Sequence, residues 1–283
     1  MNRCACQSFS EQGPEFVSHL HPPEMAMPSP DRDNEIRLSE AAAPLWRRAM
    51  RPLMDLLFPP FCPLCQERME EDDQTICAAC RNGLAAVGAP RCPVCGARCA
   101  GRRRGNGCEF CPPRPIHFDS ARAAVLYAGP GAEAVKALKF RARVELAAVM
   151  ARKMAPVLAE ELLSQRPVDW IVPVPLHFTR RLRRGFNQSE LIGRELGRLA
   201  GVPLLDGALR RIRRTRQQTF LEVKERRKNV EGAFAVADSQ AVLGRRLLLV
   251  DDVFTTGATC NACARVLREA GAEAVEVFTF ARP

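Results

Sequence analysis

At 283 residues the chain can hold one full α/β domain and a smaller module beside it. Its 42 lysines and arginines against 32 acids give a formal charge of +10, which favours phosphate-rich partners, a small polyphosphate or a nucleic acid. Aromatic residues, only 6% of the chain, do not interleave with the basic runs, so the stacking platforms of single-strand binders are not visible. With no apolar run as long as a membrane span, and no basic start leading into an apolar core, the expectation is a soluble, cytoplasmic protein.

Residues 1–40 are rich in Pro, Ser and Glu, show no sustained periodicity and read as a disordered extension; Cys4 and Cys6 there lack partners at ligand spacing. An amphipathic pattern (Leu45, Trp46, Met50, Leu53, Met54, Leu57) predicts a lead-in helix within 41–58, stopped by Pro59 and Pro60. Residues 59–113 carry four C-x-x-C knuckles: Cys62 and Cys65, Cys77 and Cys80, Cys92 and Cys95, Cys108 and Cys111. Eight thiolates in four tight turns suit two tetrahedral Cys₄ sites, hence about two structural Zn²⁺ in a double zinc ribbon. A disulfide framework would need an oxidising compartment and a signal sequence. We pair the first knuckle with the second and the third with the fourth. Interleaved pairings also satisfy the spacing, and Cys99 is a spare thiol that could replace a neighbour.

Beyond Pro115, strand and helix signals alternate through 115–283. Strands are predicted at 121–127, 169–174, 246–250 and 274–280; helices at 132–140, 144–163 (bent near Pro156), 189–200, 226–230 and 259–269. This alternation predicts a mostly parallel sheet with helices on both faces, binding its ligand at the carboxyl ends of the strands. A basic loop follows the second strand: Arg180, Arg181, Leu182, Arg183, Arg184, Gly185, Phe186, Asn187. Its guanidinium groups and bare glycine backbone can approach a pyrophosphate, beside the N-terminus of a helix starting near Asn187. His177, just before it, reads as structural.

The segment most informative about chemistry starts at Leu247-Leu248-Leu249-Val250, a strand buried on both faces. Asp251 and Asp252 follow at its end, then Val253, Phe254 and the run Thr255-Thr256-Gly257-Ala258-Thr259, which opens a helix. Free backbone N–H groups and the helix N-terminus attract a phosphate, while paired carboxylates accept hydrogen bonds from sugar hydroxyls. A phosphorylated ribose satisfies both demands. Cys260 and Cys263, on the helix behind the loop, read as packing residues.

This segment resembles the phosphoribosyl-pyrophosphate (PRPP) motif of type I phosphoribosyltransferases. The resemblance implies that Asp251 and Asp252, the residues closest to catalysis, hold the ribose 2- and 3-hydroxyls. Thr255, Thr256, Gly257, Ala258 and Thr259 would wrap the 5-phosphate, with Mg²⁺ bound together with PRPP. Lys139, Arg181, Arg184 and Gly185 would lie on the pyrophosphate side. From about Leu53 to Arg282 the chain also resembles the ComF family of competence-associated proteins. The resemblance rests on the Cys62-Pro63-Leu64-Cys65 opening, Leu138-Lys139-Phe140, Val172-Pro173-Val174-Pro175-Leu176-His177 and Arg184-Gly185-Phe186-Asn187-Gln188. Thr215, Gln218, Arg227, Asn229 and Gly232-Ala233-Phe234 extend it; Thr219-Phe220 is a departure, since relatives carry smaller residues there.

Two functions stay open. The first is a phosphoribosyltransferase (a pentosyl glycosyltransferase) moving phosphoribose to an acceptor that no residue identifies, with release of pyrophosphate, in natural competence and DNA uptake. The second is a non-catalytic adapter that binds single-stranded DNA or proteins of the competence machinery, with PRPP as a regulatory ligand. In that case the runs Arg102 to Arg104 and Arg210 to Arg216 are the candidate DNA contacts.

Overall fold

The computed structural model describes residues 59–69, 75–99, 103–104, 107–163, 167–213 and 229–283, all within one compact unit of residues 58–283. The predicted extension and lead-in helix lie outside the described residues, as do most of the predicted 226–230 helix, Arg102, Thr215, Gln218 and Arg227.

Four parallel strands form the main sheet among the described residues. Strand β3 (Ser120–Leu126) is followed by β4 (Trp170–Pro173), β7 (Arg246–Val253) and β8 (Ala274–Arg282), in the spatial order β3-β8-β7-β4. The inner strand β7 shows why an unbroken apolar run was the right signal. Leu248 and Val250 enter one buried cluster while Leu247 and Leu249 enter the other, so both faces of the strand are covered.

Helices α2 (Gly129–Phe140), α3 (Leu146–Leu158) and α5 (Gln188–Ala200) supply the first cluster. Helix α6 (Ala258–Glu269) and the hairpin β5 (Leu209–Arg211) with β6 (Phe234–Val236) supply the second. Helix α3 runs through Pro156, which has no N–H to donate, and is followed by a π-helical stretch, Ala159–Leu163. Beyond Pro115 three elements were not predicted: the antiparallel strands β5 and β6, and helix α4 (Phe178–Arg184), where the sequence suggested a basic loop.

The cysteine-rich region contributes α1 (Ala78–Asn82) and the short pair β1 (Arg103–Arg104) and β2 (Gly107–Cys108). Its first and third knuckles repeat one geometry. The Gln66 amide donates to Cys62 O at 2.8 Å, and the Gly96 amide to Cys92 O at 2.9 Å, both residues being left-handed. Only the second copy requires glycine for space, because a Cβ at residue 96 would lie 2.5 Å from Ala121 O.

The ribbon and the sheet share their buried cores. Cys62, Leu64, Ile76, Cys80 and Leu84 pack into the α2/α3/α5 cluster, and Cys92, Cys95, Ala97 and Cys108 into the α6 cluster. Ala86 bridges to Val125 on β3 and the Ala121 amide donates to Val94 O at 2.7 Å, so both halves of the ribbon are hydrogen-bonded to the sheet edge. A segment this short buries too little by itself and completes its core against its neighbour.

Candidate functional site

The eight knuckle cysteines converge as two groups, Cys62/Cys65/Cys77/Cys80 and Cys92/Cys95/Cys108/Cys111, each with its four sulfurs within 4.8 Å of one another. Sulfur pairs stand 3.6 Å apart at Cys65–Cys77, Cys92–Cys111 and Cys95–Cys108. A tetrahedron with Zn–S bonds of about 2.3 Å has an edge of about 3.8 Å, so the groups fit Zn²⁺. Burial opposes ionisation of Cys62, yet hydrogen bonds from the Cys65, Cys77 and Leu64 backbone prevail and bring it down to about 7. Burial pushes Cys95 and Cys108 up to about 11, so four such thiols ionise together only around a cation. The pairing is first knuckle with second and third with fourth, and Cys99 stays outside both groups.

The acid pair lies within β7, whose extended pairing continues to Val253, three residues beyond the predicted end. The strand therefore carries both carboxylates onto the floor of a cleft of about 220 Å³ at the carboxyl edge of the sheet. Asp251 accepts from Ser189 Oγ at 2.8 Å. Burial, then the neighbouring Asp252 charge, raises Asp251 to about 7, with Lys139 and Ser189 pulling the other way. Asp252 is 2% exposed; its Oδ1 meets Lys139 Nζ at 2.8 Å, while its buried Oδ2 has no hydrogen-bond partner. A buried carboxylate oxygen without a donor is a rare feature that points to a missing ligand.

Phe254 turns the chain into the loop 255–259. Gly257, at φ +71°, is the N-cap of α6, and a Cβ there would lie 2.5 Å from Phe254 Cζ and 2.7 Å from Pro112 Cγ. Only glycine fits, and it leaves the first amides of α6 facing the cleft edge. Thr255, Gly257, Ala258 and Thr259 line the cleft. Thr256 does not; together with Thr255 it borders a second cavity of about 940 Å³, beside Cys111 and Arg282.

Of the residues assigned to the pyrophosphate side, Lys139 and Arg184 line the cleft, and Arg181 and Gly185 do not. The reason is that the arginine stretch is a helix. His177 caps α4, its ring nitrogen accepting from the Thr179 amide at 3.3 Å, and Gly185 ends it at φ +84°. At helical spacing Arg180 and Arg184 share the cleft face. Arg181 turns away to Glu190, 3.3 Å distant. Arg184 donates to Gln188 Oε1 at 2.5 Å and lies over the Phe140 ring, 6.0 Å from its centroid.

A family model described as Double zinc ribbon domain matches residues 53–112, and one described as Phosphoribosyl transferase domain matches residues 199–283. The DNA utilization protein YhgH of Escherichia coli (strain K12) is 33% identical over 232 residues, spanning 80% of this chain and 99% of that protein. The chain belongs to the ComF family. Competence protein F of Haemophilus influenzae is 29% identical over 224 residues (78% of this chain, 96% of the relative). Competence protein ComFC of Bacillus subtilis is 28% identical over 236 residues (78% and 94%). This ComF-family chain thus joins a double zinc ribbon to an α/β phosphoribosyltransferase-like domain, and no helix of its described residues is long and apolar enough to cross a membrane.

Sequence reasoning missed two cleft arginines of this ComF-family fold and a buried serine bonded to Asp251. Arg180 was hidden by reading α4 as a loop. Arg211 was grouped with a surface run, yet β5 carries it into the cleft, where it lies 5.1 Å from the Phe234 ring centroid. Burial, then repulsion by Arg180, lowers its pKa. Ser189, fully buried, carries no sequence signal beyond its place two residues after the N-cap Asn187. Cys260 and Cys263 sit on the buried face of α6, and burial holds both thiols well above their ordinary range.

Proposed function

We propose that the cleft binds PRPP and transfers its phosphoribosyl group to an acceptor. The observation that carries this reading is the orphaned Oδ2 of buried Asp252, beside Asp251 and the glycine-capped start of α6. Asp251 and Asp252 accept hydrogen bonds from the ribose hydroxyls, and the amides of 257–259 with the Thr255 and Thr259 hydroxyls hold the 5-phosphate. Lys139, Arg180, Arg184 and Arg211 face the pyrophosphate and stabilise the charge that develops as it departs. In the transfer, an acceptor nitrogen bonds to the anomeric carbon, the bond from that carbon to the pyrophosphate oxygen breaks, and pyrophosphate leaves with the electron pair while the acceptor gives up its proton. Among the described residues no third carboxylate joins the acid pair, so Mg²⁺, where it binds, would be held with PRPP rather than by a protein site of its own and would supply charge neutralisation.

Calorimetry with PRPP and Mg²⁺ tests the reading. Asp251→Asn with Asp252→Asn removes two charge-assisted bonds of about 1.5–3 kcal/mol each, so affinity should fall more than about a hundredfold. An unchanged affinity would show that the cleft is not a sugar site. Pyrophosphate release on addition of nucleobases or amines separates turnover from binding.

A second reading is favoured by one observation: Arg181 and Arg183 face away from the cleft on an exposed helix surface. Such a surface suits a DNA backbone in an adapter of competence, as the names of the relatives suggest. Arg183→Ala should then lower the salt slope of single-strand binding by about 0.7 per lost phosphate contact and leave PRPP affinity alone. Arg184→Ala should do the reverse.

A further inference from the structure

The second cysteine group stands directly behind the phosphate loop. Cys111 is followed by Pro112, whose ring fills the space that a side chain at Gly257 would need. The chain then runs along the start of α6, where Asn261 holds it at two points. Its Oδ1 accepts from the His117 amide at 2.7 Å, and its Nδ2 donates to Pro115 O at 3.0 Å. Phe118 closes the segment against Phe254, ring centroids 6.0 Å apart in an edge-to-face contact. From the other side Arg282, at the end of β8 and 4% exposed, donates to the Cys95 carbonyl and lies over the Phe254 ring, 5.6 Å from its centroid. Phe254 is thus held between two side chains that both lead to the second group, and Gly257 rests on the residue next to one of its cysteines.

We infer that the second cysteine group positions the phosphate loop: with its metal bound, the 112–118 segment and Arg282 form the fixed wall against which residues 254–259 take the conformation that receives a phosphate. This rests on the PRPP reading for its ligand and on zinc for its metal, and on neither for its geometry. The reason is entropic. A loop of small residues with a left-handed glycine at its centre has many accessible conformations, and an anion site made of backbone amides binds well only if those amides are already aligned. Among the described residues the first group has no such contact. It is tied instead to β3 and to α2, through the Leu126 amide to Ala85 O at 2.8 Å, Gly83 against Pro130, and Arg141 Nη1 to Pro63 O at 3.4 Å.

Three variants of the full chain test this, read by zinc content, by amide hydrogen exchange across 254–261 and by calorimetry with PRPP and with inorganic phosphate. Asn261→Ala and Pro112→Gly should each retain two zinc ions, raise exchange in the loop at least tenfold and weaken phosphate affinity by a similar factor. Arg141→Ala, at the first group, should leave both readouts at their wild-type values. Loop exchange that stays at wild-type rates in both Asn261→Ala and Pro112→Gly would overturn the inference, and so would an equal loosening in Arg141→Ala. If the wild-type protein binds no PRPP, the proposed function falls, and exchange in the loop still decides the positioning role. Should Pro112→Gly fail to fold, Asn261→Ala decides alone, because it removes two hydrogen bonds and no backbone constraint.

Discussion

The two cysteine groups have the same ligands, nearly the same spacing and the same turn at their first knuckle, yet they support opposite walls of one cleft. The first packs on the layer formed by α2, α3 and α5, and the last turn of α2 carries Lys139, the cation on Asp252. The second packs on the α6 layer and backs the loop 255–259. Burial follows the same division. In the first group Cys65 is exposed and Cys77 half-buried; in the second only Cys111 is more than slightly exposed. A duplicated module has thus been used twice, once as a cover on the helical layer and once as part of the core beneath the site. The lesson is that ligand chemistry decides whether a ribbon holds metal, while its contacts decide what the metal supports.

The largest expected difference between the two groups is in folding. Cys95→Ser leaves a buried polar group and breaks a site packed in the same buried cluster as side chains from β3 and β8, so stability should drop by about 4 kcal/mol or more in equilibrium urea unfolding. Cys65→Ser, at an exposed position where water can complete the coordination, should cost clearly less and retain the sheet. Equal losses would mean that the groups are equivalent.

Next in size is a pair of glycine substitutions, one on each wall. Gly257→Ala meets Phe254 and Pro112 within 2.7 Å at a positive φ, so it should cost about 1–3 kcal/mol and lower PRPP affinity at least about tenfold. Gly83→Ala has an ordinary φ of −75° and meets only the Pro130 ring, at 2.9 Å, and Ala79 O, at 3.2 Å. It should cost about 1 kcal/mol and leave affinity unchanged. Thermal melts and calorimetry on the two proteins sharpen the comparison.

The smallest effect concerns pH. Asp251 is raised to about 7 in the fold, above its ordinary 3.8, so folding disfavours its ionised form. The stability it permits is complete below about pH 4 and is lost as pH rises through about 7. Unliganded wild-type protein should therefore lose stability relative to Asp251→Asn between pH 5 and pH 8, by on the order of 2 kcal/mol. A difference that stays constant across that range would show that Asp251 does not carry this titration.

Much of the site was legible because its chemistry is local. Asp251, Asp252 and the loop 255–259 are consecutive, and a strand, an acid pair and a glycine turn have one reading whatever packs around them. The sheet strands at 121–127, 169–174 and 274–280 were found within one or two residues for the same reason, since apolar runs report burial directly. The arginines were harder. A run of basic residues has no apolar period to reveal a helix, so α4 read as a loop, and Arg181 was placed in a cleft that Arg180 lines instead. Arg211 and Ser189 lie far along the chain from the acid pair and reach it only through the hairpin and α5.

The sequence by itself determined the eight thiolates, the parallel α/β sheet, the acid pair and the glycine loop, because spacing in the chain sets knuckle geometry, strand burial and loop conformation over a few residues. Only the tertiary structure decided which cysteines share a group, that ribbon and sheet share their cores, which arginines enter the cleft and that Pro112 lies against Gly257. Those depend on contacts between separate elements, some of them, like Pro112 and Gly257, far apart in the chain, which side-chain packing fixes and no local pattern records.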